Sequence, residues 1–565
     1  MNHCLKLFGL LFVFATLAAT DQPVVYEGGV VNAASYGSDW LQNGGVAQGS
    51  MFVVFGSRMG PAVLQMATTF PLQLKLANTS IEVTIAGVMV NAIMLYAWDR
   101  QLAAVLPSRT PVGNGTLQVV YNDLRSDPVT IRVVETNFGS FAGTQAGSGP
   151  AIAQNYVSAT ETPLNSPIEA AHPGQVMILW GTGLGAVSFD ETFPPLVQDL
   201  NVPLEVWIGG KRATVLYEGR SPQFPGIDQI NLQLPADAPL GCYVPLAVKA
   251  RGVTSNFTSI AISPSGKICS DPHGVSAADL NRLAAGEPLR LGWIQLMREN
   301  FKAQVPGIGA VEGSFDLGWA DFFRWDASSV IRSHALSSWG QTALGTCTEI
   351  TFEEEPNFAP IHPSRLVVGE TMNLHGPLGI KPMPRDRAGL YEKNAIGTNI
   401  PPVLGWSNKT PFLEPGTYTV ENGSGGPDAT RFSVSLTIPH DPASLQWTNL
   451  ESIQIIDRSR DLTVTWEGGN PDREYVLVGA MSSVGGLENA KAGVIVACAE
   501  RVSAGRLVMP SFVLSTLPPS DPETAASMFV VIRAALPESS TTVAGGLDAI
   551  YSMAAEGHIR LVTYQ

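Results

Sequence analysis

The sequence predicts an all-β protein assembled from tandem immunoglobulin-like β-sandwiches, and three observations carry that prediction. Short runs rich in Val, Ile, Leu and Tyr recur at intervals of about eight to twelve residues, separated by Gly, Pro, Asn and Asp clusters and almost without a 3.6-residue period. One set of landmarks occurs twice in the first half of the chain. Charged residues are only 15% of the total, against about 25% in an ordinary soluble protein, while 56 glycines and 41 prolines supply turns. At 565 residues the chain exceeds one core and divides into roughly three to five domains.

At the N-terminus, Lys6 precedes the apolar run Leu7 to Ala19, and Asp21 and Gln22 then restore polarity. Residues 1–20 read as a secretory signal peptide. A membrane anchor is the competing reading, but the run falls short of the ~20 residues a spanning helix needs. No later run reaches that length either. The expected product is a secreted, extracytoplasmic chain without a membrane span.

Two copies of one module follow, over 21–140 and 141–270. "AQGSMFVVFG" (Ala47 to Gly56) answers "HPGQVMILWG" (His172 to Gly181), so that Gly49 matches Gly174, Phe55 matches Trp180 and Gly60 matches Gly185. "EVTIAG" at Glu82 answers "EVWIGG" at Glu205, and Leu95-Tyr96 answers Leu216-Tyr217. "QLAAVLP" at Gln101 then answers "QINLQLP" at Gln229, and Pro111 to Gly113 answers Pro239 to Gly241. The spacing of strand runs within each copy fits a sandwich of about a hundred residues.

The stretch "ILWGTGLGAV", Ile178 to Val187, sets Gly181, Gly183 and Ala186 in the spacing of a dinucleotide-binding fingerprint. That fold needs a helix directly after the glycines to receive the pyrophosphate. Here "SFDETFPPLVQD" follows, and Pro194-Pro195 stops any helix. The stretch reads as a strand end and a loop, and no cofactor is expected. Nucleic acid is not an expected partner either, because the net charge is −15 and no basic patch stands out.

With "VWIGGKRATVLYEG", "DQINLQLPADAPLGCYVPLAV" and "GVTSNF" added, the second copy resembles the immunoglobulin-like IPT/TIG modules. More closely it resembles the Solibacter-type uncharacterised C-terminal domain of exported acidobacterial proteins. The likeness is close over 146–270 and looser over 28–137, where the cysteines are missing. "LEPGTYTVENGSGG" and "DLTVTWEGG" resemble segments that accompany this domain. The resemblance implies an extracytoplasmic array of β-sandwiches and brings no catalytic residues with it.

Residues 271–285 hold the one good helical window, Val275 to Gly286 with Ser276 as cap, and read as a short linker. Strand runs over 286–440 furnish a third sandwich, and those over 441–565 a fourth. In the fourth, Trp466 ends one strand and Tyr475 begins the next, a pattern that resembles fibronectin type III modules.

Cys242, Cys269, Cys347 and Cys498 remain after the signal is removed. Cys242 opens a strand whose hairpin, turning at Arg251-Gly252, brings it close to Cys269, so a Cys242–Cys269 disulfide is expected. Cys347–Cys498 follows by default, with two buried free thiols as the alternative.

Motifs for nucleophilic, metal or phosphate chemistry are missing from the sequence, so no catalytic, cofactor-binding or metal residue is assigned. The run Glu353 to Glu355 could feed a calcium site but reads better as a solvated strand end. In "GSFDLGWADFFRWD", Phe315, Leu317, Trp319, Phe323 and Trp325 share one parity. That face is expected to be core; as a surface it would let Trp319 and Trp325 contact a glycan. The expected function is that of a non-enzymatic secreted or cell-surface adhesin, spacer or scaffold, monomeric, with an extracellular protein or polysaccharide as partner. The alternative is a carbohydrate-binding accessory protein of an extracellular polysaccharide-degrading system.

Overall fold

The computed structural model describes residues 22–565 except 223, 271–274, 306–308, 333–341, 354–362, 388, 400–409, 439–444, 485–491, 521–526, 536–537 and 541–544. The expected signal peptide lies outside the described residues.

Alternation of apolar and polar residues builds the first unit. Its long strands are β1 (Val24–Asn32), β2 (Met51–Ser57), β3 (Thr79–Ile85), β4 (Ile93–Ala97), β5 (Gln101–Val105), β6 (Gly113–Tyr121) and β7 (Val129–Val134). One sheet runs β1-β2-β5-β4 and the other β7-β6-β3. In β3, "TSIEVTI" buries Ile81, Val83 and Ile85 and leaves Ser80, Glu82 and Thr84 half-buried. The buried set meets Phe52, Val54 and Leu102 of the other sheet, which makes a sandwich.

The second unit holds β8 (Val176–Thr182), β9 (Leu204–Ile208), β10 (Lys211–Arg220), β11 (Asp228–Gln233), β12 (Gly241–Ala250) and β13 (Thr258–Ile262), paired in the order β8-β11-β10-β9-β12-β13. β10 pairs with β9 along Lys211 to Ala213 and with β11 from Thr214 to Arg220, so this strand turns the corner between the two halves. Leu179, Ile230 and Leu232 pack against Ile208, Val248 and Ile260 inside.

Helix α1 (Ala277–Ala284) begins where the sequence places it. Ser276 Oγ accepts from the Asp279 amide at 3.1 Å and donates to the Asp279 carboxylate at 2.8 Å. The helix is more than a linker: Leu280 and Leu283 enter a core shared with Cys269 of the second unit and with Trp325 and Tyr551 further on.

The remaining long strands are β14 (Leu289–Val305), β15 (Gly309–Trp325), β16 (Thr346–Glu353), β17 (Thr371–Gly376), β18 (Gly379–Pro384), β19 (Tyr391–Asn399), β20 (Gly416–Glu421), β21 (Ser433–Ile438), β22 (Leu462–Glu467), β23 (Glu474–Val484), β24 (Ala492–Arg501), β25 (Arg506–Met509), β26 (Ser527–Ala535) and β27 (Ala549–Leu561). One large sheet runs β16-β24-β23-β26-β27-β14-β15, with β19 also on β15. β14 and β27 are parallel neighbours from Leu291↔Ala549 to Lys302↔Arg560. The expected boundary between 440 and 441 therefore does not separate two sheets, because strands from both sides of it interleave. Local pattern cannot reveal this, since a parallel pair joins strands that lie far apart in sequence. Two smaller sheets cover one face of the large one: β18-β17-β20-β21 over Leu296, Ala320 and Phe322, and β22 with β25 over Val476, Val496 and Phe529.

The units are interlocked rather than strung together. Leu41 of the first unit and Ala247 and Phe257 of the second enter the core beneath β22. Phe512, on the turn α2 (Ser511–Leu514), stacks on Trp207 at 4.6 Å between centroids and 16° between planes.

β15 departs from its sequence parity. Phe323 and Trp325 are buried as expected, but Phe315, Leu317 and Trp319 are only half-buried, while Asp316, Gly318, Ala320 and Phe322 of the opposite parity are buried. A 17-residue strand is long enough to serve two cores. Ala320 and Phe322 face the smaller sheet, whereas Trp325 faces α1. Asp316 is tolerated inside because Arg298 donates to both its oxygens, at 2.7 and 3.1 Å, and the Leu413 amide adds a bond at 2.9 Å. Trp325→Ala should thus cost about 3–5 kcal/mol, and Trp319→Ala about 1 kcal/mol. Urea unfolding of both variants checks this, and equal costs would contradict the assignment.

Candidate functional site

The glycine stretch closes over a buried polar centre. Asp228 opens β11 on the parity of Ile230 and Leu232 and is fully buried, and Arg220 ends β10 with 1% of its surface exposed. Arg220 Nη1 pairs with Asp228 Oδ1. Arg220 Nη2 donates to the carbonyls of Gly49, at 2.8 Å, and Gly185, at 2.5 Å, while the Leu184 amide donates to Asp228 Oδ2 at 2.7 Å. Burial pushes the Asp228 carboxyl up, and Arg220 with the Leu184 and Gly183 amides pulls it back. Gly49 has φ +71°, and a Cβ there would collide with the guanidinium, so only glycine lets the first unit approach.

The loop after the glycines docks on the first unit as well. Glu191 accepts from the Ser108 amide at 2.7 Å and its hydroxyl at 2.9 Å, and the Leu72 amide donates to Thr192 O at 2.7 Å. Asn32 Nδ2 reaches Thr182 O at 3.4 Å across the same junction. Each donor named here has a protein acceptor. The arrangement fixes one unit against the next.

Both cysteine pairs are bridged. Cys242 and Cys269 lie 5.2 Å apart at Cα in the core beneath α1. Cys347 and Cys498 are direct cross-strand partners on β16 and β24, 4.0 Å apart at Cα. Beside them a cavity of about 280 Å³ is lined by Thr346, Cys347, Glu500, Arg506 and Val508 among others, below the usual size of a small-molecule site. Of the acidic run, Glu354 and Glu355 and the Glu353 side chain lie outside the described residues. Among the described residues no group of three or more His, Cys, Asp or Glu is placed to hold a metal ion, and no helix is long and apolar enough to cross a membrane.

Two of the carboxyls buried in the large sheet, Glu299 and Glu349, have raised pKa values. Burial, with Glu556 nearby, pushes Glu299 up to about 8, and its Oε2 makes no hydrogen bond. Burial raises Glu349 to about 7 although Thr516 bonds to it. Both groups bind a proton more tightly folded than unfolded. The stability they contribute is full below the ordinary carboxyl range near 4.5 and is lost as pH rises through about 7 and about 8. The melting temperature should fall between pH 6 and 9, by a stability loss on the order of a few kcal/mol. Glu299→Gln with Glu349→Gln should flatten the decline, and a wild-type melting temperature constant over that range would refute it.

Of the residues singled out from sequence, the structure joins each cysteine pair and sends Trp319 and Trp325 to different surroundings. Sequence reasoning missed Arg220 and Asp228. One signal was present: Asp228 occupies an inward position of an alternating strand, where a charge requires a buried partner.

No family model and no curated protein matches the chain. Solved structures resemble it weakly. The plexin A4 extracellular region, domains 1 to 8, is 14% identical with a TM-score of 0.16, over 42% of this chain and 18% of that one. This chain thus spans about a fifth of that region. Domains 5–6 of the S-layer protein SbsC are 14% identical with a TM-score of 0.15, over 43% of this chain and 98% of that one. SGBP-B of the Bacteroides ovatus mixed-linkage glucan utilization locus, in complex with a heptasaccharide, is 9% identical with a TM-score of 0.12, over 80% and 91%. At these values none of them assigns a function to the chain.

Proposed function

We propose that this protein is a secreted or cell-surface scaffold, spacer or adhesin without enzymatic activity, in which fixed geometry is the working property. The observation that carries the reading is burial at the junctions. Arg220 and Asp228 tie the first unit to the second, and Phe512 stacked on Trp207 ties the second to the large sheet. A hinged array would keep such contacts small and wet. Two disulfides and the N-terminal apolar run support an extracytoplasmic location. The first two units are copies of one IPT/TIG-like module in this reading. Their pairings β2-β5-β4 and β3-β6-β7 parallel β8-β11-β10 and β9-β12-β13. The protein acts as a monomer and meets an extracellular protein or polysaccharide.

The experiment is incubation of the purified chain with cell envelopes and with a panel of wall polymers. Retention with no release of reducing ends is expected; chain cleavage would overturn the non-enzymatic reading. The second reading, a carbohydrate-binding accessory protein, cannot use Trp325 as a platform, because that ring is fully buried. Another part of the large sheet supports it better.

A further inference from the structure

Between the two sheets that cover the large one, its surface is polar. Strand register sets the side chains in rows. Arg533, Glu556, Arg298 and Asp316 form one row across β26, β27, β14 and β15. The next row is His558, Asn300, Ser314 and Asn399, across β27, β14, β15 and β19. Arg560, Lys302 and Glu312 form a third. Neighbours within a row are about 4.8 Å apart and successive rows about 7 Å apart. The middle row is therefore a strip of neutral hydrogen-bonding groups about 15 Å long, flanked by charges.

Segments on either side wall this strip. The Leu413 amide holds Asp316 at 2.9 Å and Glu414 stands 3.7 Å from Arg298 on one side, while Arg560 reaches Glu451 at 2.6 Å on the other. Asn300, Ser314 and His558 are half-buried and Asn399 is exposed. Burial, ahead of its charged neighbours, lowers the His558 pKa, so its imidazole is neutral. Arg533 Nη1 and Arg560 Nε are buried and donate to no protein acceptor. The cations Arg298, Lys302, Arg533 and Arg560 are offset by Glu312, Asp316, Glu451, Glu474 and Glu556. With Glu414 beside Arg298 the carboxylates outnumber the cations, so the surface gives an anion no advantage. It suits a ligand whose hydroxyls both donate and accept.

We propose that this trench binds a neutral oligosaccharide laid along His558, Asn300, Ser314 and Asn399. The proposal rests on the carbohydrate-binding form of the function above. Calorimetry of the full chain with gluco-, xylo-, manno- and malto-hexasaccharides, and with oligogalacturonate as the anionic control, tests it. At least one neutral hexasaccharide should bind, and His558→Ala and Asn399→Ala should each weaken binding tenfold or more with the melting temperature unchanged. Asn399 is exposed, so its variant keeps the test open if His558→Ala fails to fold. Neutral-sugar binding untouched by both variants would overturn the site and leave the carbohydrate reading standing. Binding of oligogalacturonate alone, or of nothing, would overturn both.

Discussion

Asp228→Ala should destabilise the protein by about 3–5 kcal/mol, because it leaves the buried Arg220 guanidinium without the carboxylate paired to it. The Leu184 amide would lose its acceptor at the same time. Pairing the change with Arg220→Met should recover much of that loss, since removing both members of a buried pair spares the unpaired charge. The carbonyls of Gly49 and Gly185 would still lose their donor, so recovery should be incomplete. Urea denaturation of the two variants measures this directly. A loss below about 1 kcal/mol for Asp228→Ala would mean that water reaches the pair.

Removing the Cys347–Cys498 bridge should cost about 5 kcal/mol on the chain-entropy account, against about 3.5 kcal/mol for Cys242–Cys269. The difference comes from loop length, since the first bridge spans 151 residues of sequence and the second 27. In the folded state the ladder from Thr346↔Ala499 to Glu353↔Ala492 holds the same strands together without the bond. The loss therefore arises in the unfolded chain. Cys347→Ala/Cys498→Ala and Cys242→Ala/Cys269→Ala, compared by thermal unfolding, should rank in that order, and the reverse ranking would contradict the account.

The all-β class, the strands of the first two units, the Ser276 cap and the Cys242–Cys269 pair were legible in the sequence, because each depends on local pattern or on residues close in a hairpin. For Cys347 and Cys498 the sequence left a bridge and two free thiols both open, since the strands that pair them lie far apart. What sequence missed depends on distant partners. Period-two alternation places one face of β15 inside, but a strand covered on both faces carries two overlapping patterns, and Ala320 with Phe322 belong to the second. The β14–β27 pairing joins residue 291 to residue 549, which no window of sequence spans. The glycine stretch was correctly read as a loop. That its amide and carbonyl groups close on Arg220 and Asp228 required knowing that Gly49 lies beside them.

Buried contacts tie the units to one another, and one rigid body is the expected consequence. Val88, at the tip of a hairpin in the first unit, and Leu378, between β17 and β18, are both about half exposed. Cys242, Cys269, Cys347 and Cys498 are bridged, so in the chain without residues 1–20, and hence without Cys4, spin labels at Val88→Cys and Leu378→Cys would report on these two positions alone. Pulsed electron resonance should give a single narrow distance distribution, unchanged by salt. A broad or multimodal distribution would show units moving on linkers and contradict the account.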